Sequence, residues 1–116
     1  HSSDGLDEVS VSAHTFVVAV NESEKEISTF EFKPLEMHFS IPAGGTPEVN
    51  AKIIQGLLEG RITGPAREIV ALNAAAAIHV ATGETMSQAL ESARESLLSG
   101  KARRKLEELV EFYAHG

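Results

Sequence analysis

The sequence predicts the α/β fold class, in an unbalanced form: a short β-hairpin followed by four helices, as the C-terminal part of a larger α/β domain. Three observations carry that reading. β-Branched and aromatic runs are confined to the N-terminal third, and apolar residues after Gly45 recur at helical spacing. One of the helices is apolar nearly all round, so the four together want more sheet than two strands supply, and an isolated hairpin is marginal in water. The chain also opens on His1 rather than Met and runs at once into a turn, which points to a preceding segment elsewhere in the protein.

Residues 1–14 read as an acidic loop rich in Ser, Asp and Gly, with Val9 and Val11 beginning an alternation. Residues 15–32 read as the hairpin. Thr15-Phe16-Val17-Val18-Ala19-Val20 is the first strand, Asn21 to Glu26 a polar turn, and Ile27-Ser28-Thr29-Phe30-Glu31-Phe32 the second strand, ended by Pro34. Leu35 to Gly45 is irregular, with Pro42 and Gly44-Gly45 as breakers. Residues 46–115 read as helices. Thr46 is an N-cap candidate with Pro47 at the first helical position, Val49, Ile53, Ile54, Leu57 and Leu58 share one face, and Gly60 is the stop. Pro65 opens the second helix, which runs to Gly83. Its centre, Ala71-Leu72-Asn73-Ala74-Ala75-Ala76-Ala77-Ile78, predicts packing on several sides. Thr85 with Gln88 forms a capping box for a third helix whose inner face is Met86, Ala89, Leu90, Ala93 and Leu97, with Gly100 as its stop. The last helix starts near Lys101 and is expected to bury Leu106, Leu109, Val110 and Tyr113.

Composition narrows the function classes. With 116 residues, 42% of them hydrophobic, the chain is long enough to bury a core and too apolar for disorder. A net charge of −7, from 10 basic and 17 acidic residues, argues against nucleic acid or an anionic membrane surface as a partner. There is no cysteine, hence no disulfide framework and no thiolate metal site. No apolar run reaches membrane length and no basic-then-apolar signal opens the chain, so the expectation is a soluble, cytoplasmic protein.

The chemistry concentrates at Asp4-Gly5-Leu6-Asp7-Glu8, three carboxylates at a glycine-bearing turn leading into a strand. Hard oxygen ligands on such a turn suit Mg²⁺, above all when the ion also carries substrate phosphates. Taken by itself, however, an Asp-x-x-Asp-Glu loop reads as a solvated turn with Asp4 accepting from nearby amides. In an extended backbone Asp7 and Glu8 would point to opposite sides. Joint binding of one ion therefore requires curvature, which Gly5 can supply through positive φ.

The run His1-Ser2-Ser3-Asp4-Gly5-Leu6-Asp7-Glu8-Val9-Ser10 resembles the Asp-Gly-Leu-Asp-Glu motif of the anthranilate phosphoribosyltransferase family. The resemblance continues through Gly44-Gly45-Thr46-Pro47-Glu48-Val49-Asn50-Ala51, through Gly64-Pro65-Ala66-Arg67 and the alanine-rich helix Leu72-Asn73-Ala74-Ala75-Ala76-Ala77, and into Lys105-Leu106-Glu107-Glu108-Leu109. It covers essentially all 116 residues but only the family's C-terminal portion. It implies part of an α/β phosphoribosyltransferase domain that moves a phosphoribosyl group from phosphoribosyl diphosphate to the amine of anthranilate, in tryptophan biosynthesis, with Mg²⁺ and loss of diphosphate. The family's metal-binding acids map onto Asp7 and Glu8, while Asp4 takes a turn-forming role. The resemblance also implies a homodimer when complete, and substrate contacts in an N-terminal part of the protein beyond this sequence.

The family's Gly-Thr-Gly-Gly-Asp diphosphate loop has no counterpart here. Gly44-Gly45-Thr46 precedes a helix, and helix N-termini do bind anions, but its order differs and an N-capped loop explains it fully. No catalytic nucleophile and no cofactor-binding loop are therefore assigned within these residues, and the segment alone is expected to be inactive. Two other readings share the pattern: a non-catalytic assembly or binding module, and a related nucleoside phosphorylase-like enzyme. Relatives that bind nucleic acid are disfavoured by the acidic balance.

The histidines at 1, 14, 38, 79 and 115 show no metal-ligand spacing. His79 reads as a packed side chain, and His14 lies close to the acidic turn. Lys101, Arg103, Arg104 and Lys105 open the last helix against its macrodipole, and i, i+4 pairing of Arg103 with Glu107 and Arg104 with Glu108 accounts for them as a solvated face.

Overall fold

The computed structural model describes residues 1–21, 26–32 and 44–114. They fall into two compact units, His1–Ser40 and Ile41–Gly116. The predicted turn from 22 to 25, Pro34 and the stretch from Leu35 through Pro42 lie outside the described residues, as do His38 and His115.

In the first unit β1 (Thr15–Asn21) pairs antiparallel with β2 (Glu26–Phe32), in register from Thr15 opposite Phe32 to Asn21 opposite Glu26. β1 obeys the period of two: Thr15 is buried and Val17 and Ala19 half-buried, while Phe16, Val18 and Val20 are exposed on the other face. The second edge of β1 is not left open along its whole length. Residues 1–3 run antiparallel beside its start: Ser2 bridges to Thr15, the Phe16 amide donates to the His1 carbonyl at 2.8 Å, and the Ser3 amide donates to the His14 carbonyl at 2.8 Å. The acidic loop is thus tied to the sheet on both sides of its turn.

The second unit holds α1 (Pro47–Leu58), α2 (Pro65–Thr82), α3 (Met86–Leu98) and α4 (Lys101–Ala114). Their limits are set by local chemistry. The Thr46 hydroxyl accepts from the Val49 amide, Pro occupies the first turns of α1 and α2, and Thr85 and Gln88 form a reciprocal capping box. Gly60, Gly83 and Gly100 follow the helix ends at φ of 72–75°, the left-handed region that lets the chain leave a helix. The core lies between α2 and α3, where Ala71, Leu72 and Ala75 are buried, as are Ala89, Leu90 and Ala93. Small residues on both helices permit close backbone approach. Leu57 of α1 is also buried.

Burial in α2 and α4 differs from the sequence expectation. The alanine-rich α2 is buried on one face rather than several; Ala74, Ala77 and Val70 are exposed and Val80 is 85% exposed. Within this unit α3 is the principal helix packed against α2, so one stripe suffices. α4 has no buried residue: Leu106 is half-buried, whereas Leu109, Val110 and Tyr113 are exposed. Its apolar stripe does not close on α1, because an open groove of about 430 Å³, lined by Gln55, Leu58, Leu106 and Val110 among others, stands between the two helices. On α1, Val49 and Ile54 are exposed and Ile53 and Leu58 half-buried.

Candidate metal centre

The acidic loop is built on hydroxyl groups. The Ser2 amide donates to the Leu6 carbonyl at 2.8 Å and the Gly5 amide to the Ser2 carbonyl at 3.2 Å, closing a turn in which Gly5 has φ 92°. That positive φ is open to glycine at little cost and lets the chain turn back between Ser2 and Leu6. Asp4 is consumed by the turn. Its Oδ1 accepts from the Leu6 amide at 3.3 Å, and its Oδ2 accepts from the Ser10 hydroxyl at 2.7 Å and the Ser12 hydroxyl at 3.3 Å. The Ser10 hydroxyl above all holds the Asp4 carboxyl below the ordinary aspartate range; desolvation opposes it, and the Leu6 amide and Ser12 hydroxyl add to the lowering. Buried Ser10 also accepts from the Ser12 and Ala13 amides, each at 3.1 Å.

Asp7 and Glu8 differ from Asp4. The chain bends through both, both side chains are exposed, and among the described residues neither carboxylate is held by a hydrogen bond or ion pair. Of the three acids, Asp4 has its oxygens committed to the loop, whereas those of Asp7 and Glu8 face solvent. Among the described residues no cluster of three or more His, Asp or Glu side chains forms a metal cage. A pair of carboxylates nevertheless suits Mg²⁺, which keeps several waters and takes one or two carboxylates with substrate phosphate oxygens. The donor set fits that ion and not a closed, all-protein site.

The glycosyl transferase family, a/b domain, has a model that matches residues 1–103. The chain belongs to this family. It is 40% identical to the anthranilate phosphoribosyltransferase of Desulfosudis oleivorans, with 97% of this chain and 34% of that protein covered. It is also 40% identical to that of Thermomicrobium roseum, over 94% of this chain and 33% of the relative. To that of Haloarcula marismortui it is 35% identical, over 92% of this chain and 34% of the relative. The chain thus spans about a third of the length of the curated relatives it matches. The hairpin and helices α1 to α3 fall within the matched residues.

Other residues of this glycosyl transferase domain take structural places. His79 is half-buried at the end of α2, and its Nδ1 lies 2.6 Å from the Glu84 carbonyl; because a carbonyl only accepts, Nδ1 carries the proton. His14 pairs diagonally across the hairpin, its Nδ1 2.6 Å from Glu31 Oε1 with both side chains about half exposed. Gly44-Gly45-Thr46 is a helix entry: the Gly45 amide donates to Asn50 Oδ1 at 2.9 Å and Asn50 Nδ2 donates back to the Gly45 carbonyl at 3.2 Å. Arg103 pairs with Glu107 at 2.8 Å. The expected Arg104–Glu108 pair is replaced. Glu108 pairs with Lys105 at i, i+3, while Arg104 Nη1 donates to the Ser99 carbonyl at 3.4 Å, the end of the preceding helix competing for the guanidinium.

Two constellations escaped sequence reading. Ser2, Ser10 and Thr15 form a buried hydroxyl network behind the acid pair. In the helical unit, Glu68 on α2 is only 6% exposed and accepts from Arg94 Nε and Nη2 of α3 at 2.9 and 2.5 Å, with Arg67 Nε 3.5 Å from its other oxygen. A signal for the second existed. Glu68 shares the stripe of Ala71, Leu72 and Ala75, and a carboxylate on a buried stripe demands a cation.

Proposed function

We propose that this chain is the metal-carrying portion of an anthranilate phosphoribosyltransferase, with Asp7 and Glu8 supplying carboxylate oxygens to Mg²⁺. The reaction in which it takes part forms a bond between the amine of anthranilate and the ribose carbon of phosphoribosyl diphosphate as the bond to diphosphate breaks. The attacking group belongs to the substrate, so these residues need supply no nucleophile. When bound, the ion supplies charge neutralisation and orientation for the departing diphosphate. Asp4 holds the turn and leaves the other two acids facing outward. Remaining substrate contacts, and the partner surface of a homodimer, belong to the rest of the protein.

The observation that carries this reading is the division of labour among the three acids: one is hydrogen-bonded into the turn and two are open to solvent, in a chain 40% identical to anthranilate phosphoribosyltransferases. The same names favour a transferase over a non-catalytic module or a phosphorylase. Placement inside a cell is part of the proposal; among the described residues no single helix is long and apolar enough to cross a membrane.

Metal removal tests it. In the complete protein, chelation of divalent ions is expected to abolish transfer of the phosphoribosyl group to anthranilate, and added Mg²⁺ to restore it. Undiminished turnover in excess chelator would overturn the reading.

A further inference from the structure

We infer that Ser2 and Thr15 are positioning residues for the acid pair, acting through the backbone carbonyl of Glu8; this rests on the metal-binding reading of Asp7 and Glu8. Both side chains are buried, at 3% exposure each. The Ser2 hydroxyl lies 2.8 Å from the Glu8 carbonyl oxygen and 2.5 Å from Thr15 Oγ1. A carbonyl can only accept, so the single Ser2 proton goes to Glu8. Ser2 Oγ must then accept from Thr15, whose own proton is thereby directed as well. The Ser10 amide completes the arrangement, donating to Ser2 Oγ at 3.2 Å and Thr15 Oγ1 at 3.1 Å.

The result is a directed chain running from the Thr15 hydroxyl through the Ser2 hydroxyl to the Glu8 carbonyl. Hydrogen bonds in such a buried series polarise one another and fix geometry more strongly than isolated ones. Thr15 is the first residue of β1, so the bend carrying the acids is anchored to the sheet at a defined point. Neither hydroxyl is a ligand. Their task is to hold the main chain of an exposed pair whose side chains have no other restraint among the described residues, as outer partners of metal ligands commonly do.

The test uses the complete protein, Mn²⁺ with inorganic diphosphate as probe, and electron paramagnetic resonance to measure bound Mn²⁺. Ser2→Ala and Thr15→Val are expected to weaken binding on the order of tenfold, the lower range for loss of an outer-shell partner. Thr15→Ser keeps the hydroxyl and loses a buried methyl, so it should lower the melting temperature while binding Mn²⁺ as the unmodified protein does. Thr15→Val keeps the volume and loses the hydroxyl. A purely structural role for these residues would instead make affinity follow melting temperature across the series. Unchanged affinity in Ser2→Ala and Thr15→Val, with affinity lost in Asp7→Asn, would overturn the inference alone. Unchanged affinity in Asp7→Asn would remove the metal site itself, and the inference with it.

Discussion

Asp7→Asn combined with Glu8→Gln in the complete protein is expected to reduce turnover by roughly 10²-fold or more at limiting Mg²⁺, because a metal ion at a leaving group contributes several kcal/mol of charge stabilisation and about 1.4 kcal/mol is tenfold in rate. The substitutions keep size and remove charge, so the amides offer the ion weaker oxygens. The helical signal in circular dichroism should not change. Both side chains are exposed, and the helices belong to the other compact unit. An apparent Mg²⁺ requirement shifted to higher concentration would accompany the loss. Wild-type turnover at limiting Mg²⁺ would contradict the assignment.

The largest stability effect is expected from Arg94→Ala. Glu68 is buried and both guanidinium groups near it approach its two oxygens, so deleting Arg94 leaves a carboxylate with Arg67 alone at 3.5 Å. Removing one partner of a fully buried pair costs about 3–5 kcal/mol, and charged hydrogen bonds contribute about 1.5–3 kcal/mol. The Arg94 side chain is 40% exposed, which places the expected loss at about 2–3 kcal/mol once solvent screening is allowed for. Arg94→Lys should recover part of it, since one ammonium cannot reproduce both guanidinium contacts. Arg103→Ala, whose pair with Glu107 is more than half exposed on both sides, should change stability by no more than about 0.5 kcal/mol. Denaturant midpoints of the complete protein measure all three. Equal midpoints for Arg94→Ala and Arg103→Ala would contradict the buried-pair argument.

What was legible in the sequence was local. Thr46 and Thr85 with Gln88 cap helices, and Pro65 and the glycines at 60, 83 and 100 punctuate them, because each acts on a backbone within four residues of itself. Asp4 as a turn-former was legible for the same reason. The strand pattern of Thr15 to Val20 was readable from its β-branched content, but the pairing of residues 1–3 alongside it was not, since a Ser-rich loop carries no signal of its partner. Apolar periodicity showed which stripe of α4 is greasy and said nothing of what meets it; in the structure Tyr113 is 75% exposed. Glu68 and Arg94 stand 26 residues apart, and only topology brings them together. The choice of Lys105 over Arg104 for Glu108 is a matter of side-chain geometry that helical spacing alone leaves undecided. Asp7 and Glu8 were singled out through the resemblance, because two exposed acids on a turn are otherwise an ordinary solvated surface.

The decisive measurement is an anomalous difference map from crystals of the complete protein loaded with Mn²⁺ and diphosphate. The expected result is a metal peak bonded to carboxylate oxygens of Asp7 and Glu8, at close to the 2.1 Å or so of a Mg²⁺–oxygen bond, with diphosphate oxygens completing the shell. A metal and diphosphate bound elsewhere, with both carboxylates still in open solvent, would contradict it.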